Sequence, residues 1–222
     1  MNDIVDALSA VRRETGHRRI PAGEGRTVVL RRTYNAPIGD VWDAITDADR
    51  INRWFLPISG DLRLGGSFRL KGNAQGEILH CDPPHLLKVS WYCGDDPAAT
   101  DISEVEVRLS TGTGDVTDFE LVHSAVVPEE QWAQYGPGAT GVGWDLTLLG
   151  LGLHLRGGSI EEPDTWGETA EAREFMTRSS QAWGAAYAAA GATDAEVASA
   201  VGNTTGFYVP DLAAAQGGDA GH

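Results

Sequence analysis

The stretch from Asp61 to His123 constrains the fold more than any other part of the chain. Apolar and polar side chains alternate there in short runs, and clusters of Gly, Pro and Asp cut the runs apart. Gly65-Gly66 separates Leu62/Leu64 from Phe68/Leu70. Asp82-Pro83-Pro84-His85 separates Glu77–His80 from Leu86–Tyr92, and Thr111–Asp115 separates Ile102–Ser110 from Thr117–His123. A period of two marks antiparallel strands with one buried and one wet face. Val105, Val107 and Leu109 share the buried face of one strand, as do Phe119, Leu121 and His123 of the next. The spacing predicts a meander.

The flanks supply helices and one further strand. Val28, Leu30 and Tyr34 alternate against Thr27, Arg31 and Thr33, which predicts a strand over 26–34. Pro37 suits the first turn of a helix carrying Val41, Trp42 and Ile45, and a second short helix carries Ile51, Trp54 and Phe55. Residues 138–156 fit two periods. Their leucines nearly alternate as in a strand, whereas Trp144, Leu148, Leu151 and Leu155 form a helical stripe; the length favours a helix. Its glycines at 141, 143, 150 and 152 are expected to let it approach a neighbouring sheet closely. Ile4, Leu8 and Val11 predict a short opening helix, with Gly16–Gly25 as a linker.

Beyond Gly157-Gly158 the composition turns to Ala and acid. Phe175, Met176, Ser179 and Trp183 line one face of a predicted helix over 168–190, and Thr193-Asp-Ala-Glu196 has the capping-box arrangement that starts another. The expected division is an N-terminal helix and linker (1–25), a central domain (26–156), a helical extension (157–210) and a loose tail (211–222).

The chain of 222 residues carries a net charge of −15, which argues against nucleic acid as a partner. An Arg-rich patch (Arg12, Arg13, Arg18, Arg19, Arg26, Arg31, Arg32) faces only Glu14 and Glu24 nearby, and the acidic tail is its expected partner. No apolar run reaches the ~18 residues of a membrane helix, so no membrane insertion is expected. The first residues lack a secretory signal pattern, and two cysteines make no disulfide framework, so the expected location is cytoplasmic.

At residue level the chain resembles a known superfamily. Tyr34-Asn-Ala-Pro37 with Val41-Trp42, then Ile51-Asn-Arg-Trp54-Phe55, Gly60-Asp-Leu-Arg-Leu-Gly-Gly-Ser-Phe68, Pro84–Trp91 and Gly143-Trp144 resemble the START-like (SRPBCC) superfamily. That superfamily holds polyketide cyclases and birch-pollen-allergen-like helix-grip proteins. Within it the match is to the branch named after the activator homologue of the heat-shock protein 90 ATPase, over about residues 26–156. The resemblance implies an α+β helix-grip fold, in which a curved antiparallel sheet wraps a long C-terminal helix and leaves an apolar cavity. Here an extra helical tail follows, of a kind similar to actinobacterial members. Eukaryotic activators carry a separate N-terminal module with no counterpart in this chain, so the resemblance extends to fold more than to a co-chaperone role.

The resemblance and strand or helix parity together nominate Trp54, Phe55, Phe68, Trp91, Phe119, Trp144 and Leu148 as cavity walls, although aromatics at such positions also simply build cores. His123 shares the face of Phe119 and Leu121. It is the candidate general base if the cavity does chemistry, and otherwise a core histidine with its hydrogen bonds satisfied. Tyr34, Tyr92 and Thr117 are candidates for orienting a carbonyl, and Trp132 and Tyr135 for a loop that gates entry. His80-Cys81 is the sole adjacent pair of metal-ligand type, which is too few for zinc, so neither metal nor cofactor is expected.

Three function classes follow. The favoured one is a module that binds a small hydrophobic molecule such as a lipid or polyketide. The alternatives are a cyclase or hydro-lyase using polar cavity residues, and a regulatory partner of a chaperone ATPase. Catalysis has no positive sequence support, and a homodimer through the Ala-rich tail stays open.

Overall fold

The computed structural model describes residues 2–95, 98, 101–160 and 163–210. Helix α1 (Asn2–Ser9) leads into strands β1 (Arg12–Ile20) and β2 (Gly23–Tyr34), then helices α2 (Ile38–Thr46) and α3 (Ala48–Trp54). Strands β3 (Ile58–Gly60), β4 (Ser67–Leu70), β5 (Gln75–Asp82), β6 (Leu86–Trp91), β7 (Ser103–Thr111) and β8 (Thr117–Ala125) follow. The chain then runs through α4 (Glu129–Tyr135), α5 (Gly138–Leu155), α6 (Pro163–Trp166), α7 (Ala170–Ala189) and α8 (Asp194–Tyr208). The strands form one antiparallel sheet in the order β1-β2-β8-β7-β6-β5-β4-β3. The sheet is curved and its inner face is closed by α5, which is the helix-grip α+β architecture.

Several local predictions fail for identifiable reasons. Gly16–Gly25, read as a linker, is the tip of a hairpin: Gly16–Ile20 ends β1, Gly23–Gly25 opens β2, and only Pro21 and Ala22 turn the chain, with Arg12 paired to Arg31 and Ile20 to Gly23. β1 is an edge strand with few apolar side chains, so backbone pairing creates it without an alternating pattern. Leu62 and Leu64 do not form a strand before Gly65-Gly66; β3 begins earlier, and Ile58–Gly60 pairs with Phe68–Leu70. The chain folds back on itself there so tightly that a Cβ on Gly66 would lie 2.1 Å from the Asp61 carbonyl oxygen. The loose tail expected over 211–222 and the side chain of Ile4 lie outside the described residues.

The helical reading of 138–156 holds, but its glycines meet more than the sheet. Gly152 lies against Arg32 and Tyr34 of β2, whereas a Cβ on Gly141 would sit 2.2 Å from the Trp183 ring of α7. Helix α7 starts at an N-cap where Thr169 accepts from the Ala172 N–H, and Phe175, Met176, Ser179 and Trp183 are buried along one face. The capping box at Thr193 and Glu196 starts α8.

Among the described residues, the charge partners of the Arg-rich patch lie elsewhere than in the acidic tail expected to pair with it. Arg31 pairs with Glu14 and Glu120, Arg18 with Glu106, Arg19 with Glu24 and Arg26 with Glu129. These partners lie within the sheet or at the start of α4; strand pairing sets Arg19 opposite Glu24 and Arg31 opposite Glu120, whereas Arg18 and Arg26 reach past the neighbouring strand to Glu106 and Glu129.

Arg13 has the most consequential partner. Its guanidinium donates from Nε at 2.9 Å and from Nη2 at 3.0 Å to the carboxylate of Asp145 on α5. Ser179 Oγ at 2.5 Å and Trp183 Nε1 at 3.0 Å, both from α7, complete the ring of donors. Burial pushes the Asp145 carboxyl above the usual carboxylate range, against the pull of Arg13, Ser179 and Trp183. Removing one member strands the other charge in the interior, which costs about 3–5 kcal/mol. Asp145→Asn should therefore lower unfolding free energy by about that amount in urea titrations, and Arg13→Met combined with Asp145→Leu should recover much of the loss. A double variant no more stable than the single one would contradict this.

Candidate functional site

Between the inner face of the sheet and α5 lies a cavity of about 160 Å³. The sheet supplies Phe68 and Leu70 from β4, Leu87, Val89 and Trp91 from β6, Val105 and Val107 from β7, and Phe119 and Leu121 from β8. Their parity is the alternation read from the sequence. α5 presents Trp144, Thr147, Leu148 and Leu151 on one stripe, three or four residues apart. Helices α2 and α3 close a further wall with Ile45, Thr46, Ile51 and Trp54, and Phe55 caps α3. Trp54 stacks on Phe55 at 5.4 Å between ring centres. Trp91 packs against Phe68 and Trp144, at 5.9 and 5.3 Å.

Trp54, Phe55, Phe68, Trp91, Phe119, Trp144 and Leu148 thus all border the same space. Cys81 borders it too, and strict alternation hides this residue. Ile78 pairs with Val89 and His80 with Lys88, so a bulge at Leu79 resets the parity of β5 and lets both Ile78 and Cys81 face inward. Thr147 also borders the cavity, one turn along α5 from Trp144, where an apolar stripe does not single out a threonine.

His123 does not line the cavity. It lies behind Trp144, whose indole N–H donates to His123 Nδ1 at 3.0 Å. Nδ1 is therefore the unprotonated acceptor and the single ring N–H sits on Nε2, which donates to Ser103 Oγ at 2.8 Å, and Ser103 in turn donates to the Trp91 carbonyl at 2.7 Å. Both ring nitrogens are committed, so His123 orients two cavity tryptophans and has no lone pair free to act as a base. Tyr92 does not border the cavity, and two further polar candidates are similarly occupied. Thr117 Oγ1 donates to the Ala36 carbonyl at 2.7 Å, and the Tyr34 hydroxyl to the Leu148 carbonyl at 3.3 Å. Burial raises the Tyr34 pKa well above its usual value.

Trp132 and Tyr135, read as a gating loop, form part of α4. Trp132 is buried against Tyr187, with Arg26 stacked over its ring, and Tyr135 meets Phe207. Neither borders the cavity, because α4 packs on the C-terminal helices. No group of three or more His, Cys, Asp or Glu side chains that could hold a metal ion occurs among the described residues. No helix among them is long and apolar enough to cross a membrane.

A curved sheet gripping one long helix around an apolar hollow defines a protein of the START-like (SRPBCC) class. Residues 35–155 match the family model described as Activator of Hsp90 ATPase homolog 1-like protein, and the chain belongs to that family. CalU16 from Micromonospora echinospora is 40% identical; its crystal structure aligns over 80% of this chain and 98% of its own, with a TM-score of 0.63. Its solution structure aligns over 81% and 96%, at 0.66. DynU16, a protein in the dynemicin biosynthetic locus, is 25% identical over 59% of this chain and 47% of its own, with a TM-score of 0.50. Comparison with curated proteins found no match.

Burial lowers the His123 pKa from 6.5 to about 4. A folded-state value below the unfolded one means that the unfolded chain takes up this proton first as pH falls. Stability from the neutral ring is therefore complete above 6.5 and is lost between 6.5 and 4, by up to about 3 kcal/mol. Urea titrations at pH 7.5 and 4.5 should show a smaller drop for His123→Gln than for the wild type. Equal drops would show that the imidazole titrates freely in the folded state.

Proposed function

We propose that the protein binds a small hydrophobic molecule in the cavity between the sheet and α5. The observation that carries this reading is the chemistry of the lining. Apolar side chains dominate it, and the polar groups among them are mostly spent within the protein. Thr46 Oγ1 donates to the Trp42 carbonyl, Thr147 Oγ1 to the Gly143 carbonyl and Trp54 Nε1 to the Ala44 carbonyl. A hollow of this kind gains free energy from covering apolar area, at roughly 25 cal/mol per Å², and a few polar groups orient the guest.

The volume bounds the guest. An apolar cavity of about 150 Å³ holds one benzene-sized ring, so about 160 Å³ accommodates one ring or a short branched chain without rearrangement. A larger lipid or polyketide would have to displace α3 or the β3–β4 loop.

Binding is favoured over turnover because, among the described residues, the lining holds no His, Asp, Glu, Lys or Arg, and Cys81 is its one titratable side chain. A cyclase or hydro-lyase needs a positioned acid or base, and His123 is engaged elsewhere. A chaperone-regulating role is named in the family description. DynU16 stands in a biosynthetic locus, a setting in keeping with a small-molecule guest. Two unpaired cysteines support a cytoplasmic location, and the CalU16 relative from Micromonospora supports an actinobacterial source.

Isothermal titration calorimetry with toluene tests the reading. Wild-type protein should bind it with a dissociation constant in or below the low millimolar range. Val107→Phe, which fills the cavity from β7, should weaken binding at least tenfold while retaining the native circular dichroism spectrum. Equal affinity in both proteins, or no heat with either, would overturn the proposal.

A further inference from the structure

A second hollow, an open groove of about 970 Å³, is bordered by β1, β2, β7, β8 and the turn between β5 and β6. Among the described residues it shares only Phe119 with the cavity under α5. Its charge runs against that of the chain. Arg12, Arg31, Arg32 and Arg108 border it with three carboxylates, Asp82, Asp118 and Glu120, in a protein of net charge −15. Two of those carboxylates already hold donors, Glu120 from Arg31 Nε at 2.5 Å and Asp118 from Thr33 Oγ1 at 2.8 Å. Arg32 is the unusual member. It is only 9% exposed, yet the contacts that hold its guanidinium are uncharged: Nη1 donates to the Leu148 carbonyl at 3.3 Å, and Cζ lies 4.4 Å from the centre of the Tyr34 ring. The same carbonyl accepts from the Tyr34 hydroxyl at 3.3 Å, so both bonds are long. Arg32 Nε is enclosed and has no hydrogen-bond partner among the described residues. Buried cations are ordinarily paired, and a buried N–H left without an acceptor costs free energy.

We propose that this groove binds a small organic oxyanion, a carboxylate or a phosphate ester, with Arg32 as its main counter-charge. On binding, the guanidinium leaves its long bond to Leu148 and meets two oxygens of the anion through Nε and one Nη. A planar fork offers that side-by-side geometry to carboxylate and phosphate alike. The exchange gives Nε the acceptor it lacks and gives a buried cation a negative partner. Arg12 and Arg108 on the border add positive potential, which draws an anion in. Leu86, Leu109 and Phe119 on the same border supply apolar contact for the organic body. The site goes beyond the hydrophobic cavity and does not depend on what that cavity holds.

Proton–nitrogen correlation spectra of the arginine Nε–H groups, with the Arg32 signal assigned through its own backbone amide, test the proposal. Benzoate and phenyl phosphate are the probes, since they share a ring and differ in the head group. In the wild type the Arg32 Nε–H signal should shift saturably with at least one of them, with a dissociation constant in the millimolar range or below, and the tighter probe identifies the head group. Sodium chloride at matched ionic strength should leave the signal in place. Calorimetry with the tighter probe should show binding weakened at least about tenfold in Arg32→Lys, which keeps the charge and loses the fork. The absence of a saturable shift with either probe, an equal shift with chloride, or undiminished affinity in Arg32→Lys would overturn the proposal. The spectra use the wild type, so they decide the matter even if Arg32→Lys fails to fold. None of these outcomes bears on the cavity under α5, whose binding role toluene tests separately.

Discussion

The position of α5 depends on a charge buried behind it. Asp145 projects from the face of the helix away from the cavity and collects donors from Arg13 of β1 and from Ser179 and Trp183 of α7. A buried carboxylate is tolerated only when its lone pairs are met, so all three elements must arrive together. Gly141 adds a steric condition, since the Trp183 ring occupies the space a side chain would need. Held from behind in this way, α5 cannot rotate, and Trp144, Leu148 and Leu151 stay turned toward the sheet. The C-terminal helices therefore act as a brace for the central fold.

That constraint explains why a hollow persists. The aromatic side chains around it are fixed by one another and by hydrogen bonds that run away from the space. The chain from Trp144 through His123 and Ser103 to the Trp91 carbonyl pins two walls at once. A side chain that resembles a catalytic base on strand parity is, in three dimensions, part of the scaffolding. The lining that remains is dominated by apolar side chains and includes no charged side chain among the described residues.

Much of this was legible in the sequence because it rests on periodicity. Alternation over β6, β7 and β8 places Trp91, Val107 and Phe119 on the inner face, and the stripe Trp144–Leu148–Leu151 places α5 opposite them. Capping chemistry at Thr193 marks α8. The illegible parts depend on contacts between distant segments. β1 has no apolar pattern, since an edge strand of arginines is specified by its pairing with β2. The bulge at Leu79, which turns Cys81 inward, arises from the register against β6. The partners of Arg13 and His123 lie 132 and 21 residues away, respectively. Neither spacing carries a local signature.

Binding between the sheet and α5 requires empty volume enclosed by Trp91, Phe119, Trp144 and Leu148. A crystal of the protein exposed to xenon under pressure reads this directly, because xenon enters dry apolar voids of this size. The account predicts an anomalous-scattering peak enclosed by those four side chains, with the surrounding walls unmoved. Side chains packed across that space, with no xenon between α5 and the sheet, would contradict it.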